Sequence, residues 1–214
     1  MSRSRVAVLV IAVLVALSCS DDRSSRATPA PTTDASTSTS TSVTSTSTVP
    51  PPTTTTAPAR RGPVTAVGDS VMMDATPALQ AAIPTIAIDA AENRSALPAP
   101  AILATLAAHG GLGAAVVVGL GSNGGMSTQI VDEVLQIAGG RRVVMVTSHC
   151  PYCSWTPRGN TIIRSTCVPA RGCLVADWDA LAQAHPEWFA SDGVHMSTGG
   201  AGAAAYAQLV RDQL

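Results

Sequence analysis

From Val64 onward the chain repeats one pattern, a short unbroken apolar run followed by a segment of helical length. The runs are Val64–Val67, Thr85–Ile88, Ala115–Gly119, Val143–Val146 and Cys173–Ala176. Between and after them, Thr76–Ala82, Ala99–His109, Thr128–Ala138, Trp178–Ala184 and Gly200–Gln213 read as helices. A strand that is apolar at every position is buried on both faces, and strands that alternate with helices pair in parallel beneath them. The sequence therefore predicts an α/β fold, a three-layer sandwich around a five-stranded parallel sheet. Right-handed crossovers would gather the functional loops at the carboxyl ends of the strands.

Upstream of this pattern the composition changes. Arg23 to Arg60 is mostly Ser, Thr, Pro and Ala, without the large apolar residues that offset the entropy of ordering. Earlier still, Arg3 and Arg5 precede an apolar run from Val6 to Leu17, short for a membrane span and suited to a signal peptide. That run ends in Ala16-Leu17-Ser18-Cys19, which resembles a bacterial lipobox whose Cys is lipidated. The predicted organisation is a lipoprotein signal peptide over 1–19, a disordered stalk over 20–61 and one folded domain over 62–214. The expected location is outside the cell, lipid-anchored on the outer face of the cytoplasmic membrane, or secreted if the lipobox is not used.

Charge and composition narrow the function. A formal net charge of −1 gives no positive field for nucleic acid. Aromatic residues make up only 3% of the chain, so the core must be built from small side chains on closely packed elements. The four cysteines other than Cys19 are Cys150, Cys153, Cys167 and Cys173, an even number suited to two disulfides in an oxidising compartment, with three pairings open. Cys150-Pro-Tyr-Cys153 also has the form of a redox motif, but it follows the fourth predicted strand rather than the first. A structural clamp on a long, otherwise mobile loop is the reading adopted. The histidines lack the spacing of metal ligands, and neither a metal nor any other cofactor is expected. His109, His149 and His185 read as structural or solvent-facing.

Three short motifs fall at predicted strand ends or before the last helix. Gly68-Asp69-Ser70 closes the first strand and would present a hydroxyl at a helix N-terminus, although Asp and Ser are also ordinary helix caps. Gly121-Ser122-Asn123 follows the third strand, where an Asn side chain can donate to a developing oxyanion or simply make a turn. In Asp192-Gly193-Val194-His195 a carboxylate three residues before a His can reach Nδ1 while Nε2 faces a serine. A serine hydroxyl needs such a base to become a nucleophile.

Taken in order, these blocks resemble the SGNH (GDSL-like) hydrolase family over Val64 to Leu214. Val67-Gly68-Asp69-Ser70-Val71-Met72 and the tail running from Asp177-Trp178 through His185-Pro186-Glu187-Trp188-Phe189 to Asp192-Gly193-Val194-His195-Met196-Ser197 are similar to the extracytoplasmic SGNH domains attached to acyltransferase-3 membrane proteins. The resemblance implies a flavodoxin-like sheet, with Ser70 as nucleophile, His195 as base and then acid, and Asp192 as its orienting partner. It also implies an oxyanion hole from the Ser70 backbone N–H and Asn123, with Gly121 as the glycine of that block. The family's second block supplies a glycine, whereas Asp89-Ala90-Ala91-Glu92-Asn93-Arg94-Ser95 has none, which leaves Asn93 or a neighbouring N–H to fill that place. The function expected from the resemblance is hydrolysis of O-acetyl or similar carboxylic esters on peptidoglycan, another envelope polysaccharide or a small ester. Two other readings use the same residues: an O-acetyltransferase served by a separate membrane acyltransferase, and a carbohydrate-binding lipoprotein without turnover.

Overall fold

All five apolar runs become strands: β1 Val64–Gly68, β2 Ile86–Ala90, β3 Ala115–Gly119, β4 Arg142–Val146 and β5 Cys173–Ala176. They are seen in a computed structural model that describes residues 62–214; the signal peptide, Cys19 and the stalk expected over 1–61 lie outside the described residues. The sheet is parallel throughout, in the order β2-β1-β3-β4-β5. In register, Gly68 at the end of β1 lies between Ala90 and Gly119.

Successive strand residues face opposite sides, and each side has its own core. Ala66, Val117, Val144 and Ala176 pack on one side against α1 (Ser70–Ala82), α5 (Trp178–Ala182) and α6 (Ala201–Arg211). Val67, Val116, Val118, Val143 and Met145 pack on the other against α2 (Ala99–Ala108), α3 (Thr128–Ala138) and α4 (Thr156–Thr166). This is the predicted three-layer sandwich. Small residues let the helices approach: Ala75 of α1 and Ala203 and Ala207 of α6 are buried, while Trp178 and Tyr206 fill the remaining volume. A methyl group on Gly119 would sit 2.5 Å from the Tyr206 hydroxyl, so that side chain can lie across the end of β3 only because Gly119 has none.

Two helices depart from the sequence reading. Helix α1 begins at Ser70 rather than Thr76, because Asp69 caps it by accepting the Val71 backbone N–H at 3.1 Å, and because Val71 and Met72 are buried from the first turn. Helix α4 occupies much of the segment expected to be a long loop. Its sequence, Thr-Pro-Arg-Gly-Asn-Thr-Ile-Ile-Arg-Ser-Thr, is rich in weak helix formers, so propensity gives no signal. Tertiary contacts supply what propensity lacks: the Asn160 side chain accepts the Ser148 N–H and donates to the Ser148 carbonyl, both at 2.9 Å, and Ile163 enters the core. Gly159 comes so near that a methyl there would lie 3.2 Å from the Met126 nitrogen. The disulfides, open among three pairings, join Cys150 to Cys153 before α4 and Cys167 to Cys173 after it.

Candidate active site

The chain leaves β1 toward β2 on one side and later occupies β3 on the other, which opens a crevice beyond the carboxyl ends of β1 and β3. Ser70 is the first residue of α1 and stands at that crevice, half-buried. Asn123 enters it from the loop after β3, and His195 from the loop before α6.

The Asp192–His195 loop is braced by its own atoms. Asp192 Oδ1 accepts the backbone N–H groups of Val194 at 2.9 Å and His195 at 3.0 Å, leaving Oδ2 to accept His195 Nδ1–H at 2.7 Å. The turn between them needs a left-handed residue, and Gly193 supplies it at φ 65°. The loop closes on itself through Ala190 N–H to the His195 carbonyl at 2.8 Å. With Nδ1 committed to the carboxylate, Nε2 is left to accept the Ser70 hydroxyl, at 2.9 Å.

Electrostatics follow from the same contacts. The hydrogen bond from His195, with the two backbone N–H groups, holds Asp192 down to about 2. That hydrogen bond in turn raises His195 above the ordinary imidazole range, with Asp74 and Asp69 adding to the effect. Both members of the pair remain accessible, with side-chain exposures of 45% for His195 and 49% for Asp192.

On the opposite side, Asp69 joins the first motif to the third. It is 1% exposed, and beyond capping α1 its Oδ2 accepts the Ser122 N–H at 3.4 Å. Burial raises its pKa. Gly121 adopts φ 142°, and a methyl there would fall 2.4 Å from Ser148 Oγ, so only glycine fits this turn. Among the described residues, three buried side-chain polar atoms have no hydrogen-bond partner: Asn123 Nδ2, Thr156 Oγ1 and Trp178 Nε1. Of these residues only Asn123 lines the cleft that holds Ser70 and His195. A buried donor without an acceptor, in one cleft with the Ser70 hydroxyl, is chemically able to receive negative charge that develops there.

The loop without a glycine solves its backbone problem differently. Asn93 sits at φ 55°, the one left-handed non-glycine residue among those described, and Asn tolerates that conformation better than other side chains. Arg94 holds the loop in place by donating to the Asp89 carbonyl at 2.6 Å, the Asp89 carboxylate at 2.7 Å and the Gly68 carbonyl at 3.3 Å.

Ser70, Asn93, Asn123 and His195 thus share one open cleft of about 320 Å³ with Met73, Asp74 and Glu92. Asp192 reaches it through His195. The cysteines do not line it. Sequence reading missed Asp74, whose Oδ2 accepts the Met196 N–H at 3.0 Å and so ties the residue after His195 to the helix that carries Ser70. The available signal was its spacing, four residues after Ser70 and hence one turn along the same helix face. His149, read as structural, pairs with Asp179 at 3.2 Å, with its side chain 12% exposed.

A serine and an Asn at the switch point of a 2-1-3-4-5 parallel sheet, with Asp and His on the loop before the last helix, make residues 62–214 similar in fold and in site arrangement to SGNH domains of the GDSL-like type. Curated proteins similar to the chain in sequence are named O-acetyltransferases, and GDSL-like hydrolases share its fold. The O-acetyltransferase OatA of Staphylococcus aureus is 30% identical over 135 residues, 63% of this chain and 22% of that protein. The C-terminal catalytic domain of Streptococcus pneumoniae peptidoglycan O-acetyltransferase A superposes with a TM-score of 0.65 at 25% identity, over 71% of this chain and 92% of that one. A GDSL-like lipase of Bacteroides thetaiotaomicron shares the fold, with a TM-score of 0.52 at 13% identity over 70% of this chain and 85% of its own. No protein-family model matches the chain. The chain spans about a fifth of the length of the curated relatives it matches, 22% in each case.

Proposed function

We propose that the domain transfers acetyl groups through Ser70 onto hydroxyls of an envelope glycan, with peptidoglycan the first acceptor to test. The observation that carries the chemistry is the unbroken Asp192–His195–Ser70 chain, at 2.7 and 2.9 Å, in one cleft with the unpartnered Asn123 amide. Ser70 Oγ attacks the acetyl carbonyl carbon while His195 Nε2 takes its proton and Asp192 steadies the imidazolium. The oxyanion is met by the Ser70 N–H and Asn123 Nδ2, with the Asn93 turn as third donor. His195 then returns the proton to the departing oxygen, leaving acetyl-Ser70. A sugar hydroxyl gives its proton to His195 as it attacks that ester, and His195 passes the proton to the departing Ser70 Oγ, which frees the acetylated sugar and restores the serine.

Water in place of the sugar gives acetate, which is the hydrolysis that sequence reading put first. What favours transfer is the likeness to proteins named O-acetyltransferases. The accessibility of the Asp192–His195 pair favours hydrolysis as a background reaction when no acceptor is present. A distinguishing experiment supplies 4-nitrophenyl acetate with an uncharged N-acetylglucosamine oligomer and follows the sugar by mass spectrometry. An acetyl ester on the oligomer, lost in Ser70→Ala, is the expected result; nitrophenol and acetate alone would make the domain an esterase.

Export belongs to the same reading. Cys19 would carry the lipid and residues 20–61 would reach from the membrane to the wall. Labelling cells with a fatty-acid probe should mark the protein and fail to mark Cys19→Ala.

A further inference from the structure

The chain has six aromatic residues, three Trp, two Tyr and one Phe, and the fold uses them unequally. Four form a single cluster around the buried Trp178, which packs on the partly buried Trp188 and Phe189 at 5.9 Å and on Tyr206 at 5.3 Å. The other two, Tyr152 and Trp155, are 83% and 41% exposed and lie three residues apart on the turn before α4. In a protein so poor in aromatics, two exposed rings on one turn call for a functional account.

That turn is both rigid and well placed. The Cys150–Cys153 disulfide closes it, the Cys153 N–H donates to the Cys150 carbonyl at 3.2 Å, and the Thr156 N–H donates to the Cys153 carbonyl at 3.1 Å. On one flank, Trp155 Nε1–H donates to the Gly121 carbonyl at 3.0 Å, and Cys153 Sγ lies 3.6 Å from the Ser122 carbonyl oxygen. On the other, a methyl on Gly193 would touch Pro151 at 3.4 Å and the Tyr152 ring at 3.8 Å. The turn therefore bridges the loop that carries Asn123 and the loop that carries Asp192 and His195.

We infer that Tyr152 and Trp155 form a sugar-binding subsite, holding an uncharged pyranose ring next to the one whose hydroxyl enters the cleft. This rests on the glycan reading of the acceptor. A pyranose ring presents an apolar C–H face edged by hydroxyls, which matches an aromatic face with a polar tip. The backbone that carries Tyr152 is already fixed by the Cys150–Cys153 turn, so little main-chain freedom is lost on binding. The adjoining cleft presents Asp74, Glu92, Asn93 and Asn123, acceptors and amides for hydroxyl groups with no cationic Lys or Arg among its lining residues. That lining disfavours an anionic surface such as a phospholipid headgroup.

The test is binding of chitopentaose, an uncharged oligomer of N-acetylglucosamine, to the full chain, read by tryptophan fluorescence and calorimetry. Tyr152→Ala should weaken binding by roughly 10-fold without changing the thermal midpoint, and Tyr152→Trp should restore it. Equal affinity in wild type and Tyr152→Ala, or no binding by the wild type, would overturn the subsite. Acetyl transfer to the same oligomer judges the glycan reading separately. Tyr152-dependent binding without acetylated sugar keeps the subsite and removes the transferase, whereas acetylated sugar with Tyr152-independent binding does the reverse.

Discussion

Two neighbouring segments, which approach each other at Gly193 and Pro151, are built in opposite ways. The Asp192–His195 loop is held by bonds among neighbours in sequence: one carboxylate takes two backbone N–H groups and an imidazole within three residues. The Ser148–Thr166 segment is held over longer separations in sequence, by two hydrogen bonds between Asn160 and the Ser148 backbone at its own start, by the Trp155 bond to Gly121 and by the close approach of Gly159 to Met126. The first can be recognised in a short stretch of sequence. The second exists only once the sheet has formed. Catalytic geometry should therefore be sensitive to changes in the first segment, and stability to changes in the second.

The largest effect is expected for Asp192→Asn. The Asn keeps an acceptor for the loop's backbone but no longer fixes the imidazole tautomer, so kcat should fall on the order of 10³–10⁴-fold with little loss of stability. Turnover of 4-nitrophenyl acetate beside a urea titration measures both, and an unfolded variant would erase the contrast. Asn123→Ala removes the unpartnered donor and should lower kcat by roughly 10²–10³-fold with KM nearly unchanged. Asn160→Ala tests the other segment. It strands two buried backbone groups at Ser148 and should cost about 2–4 kcal/mol in a urea titration, while the folded fraction keeps most of its activity.

Smaller effects sharpen the account of each loop. His195 acts as a base only when neutral and its pKa is raised, so activity should increase with pH through a value above the free imidazole's. Asp74→Asn removes one of the charges responsible while keeping an acceptor for the Met196 N–H, and should move that limb toward lower pH. An unmoved limb would deny Asp74 its influence on the base. Asn93→Gly suits the left-handed turn equally well and should change stability by less than about 1 kcal/mol, with activity retained if the backbone is the donor.

What was legible in the sequence divides along the same line. Burial on both faces wrote β1 to β5 as continuous apolar runs, and the parallel α/β sandwich followed from their alternation with helices. Ser70, Asn123, Asp192 and His195 stood out because each belongs to a short motif at a strand end or before the last helix. Helix α4 was invisible because Gly159 and Asn160, poor helix residues by propensity, are chosen for contacts with Met126 and Ser148. Asp74 was only half legible for a related reason: its spacing puts it on the Ser70 face of the helix, but its partner is the backbone of Met196, and no side-chain pattern marks such a bond.

The most direct test of the central claim is to catch the acyl-enzyme. The protein is mixed briefly with 4-nitrophenyl acetate, quenched in acid and digested, and the peptide containing Ser70 is weighed. One acetyl group on Ser70, which disappears when a glycan acceptor is added before the quench, is the expected result. A Ser70 peptide of unchanged mass while nitrophenol is still released by the wild type and by Ser70→Ala would contradict it.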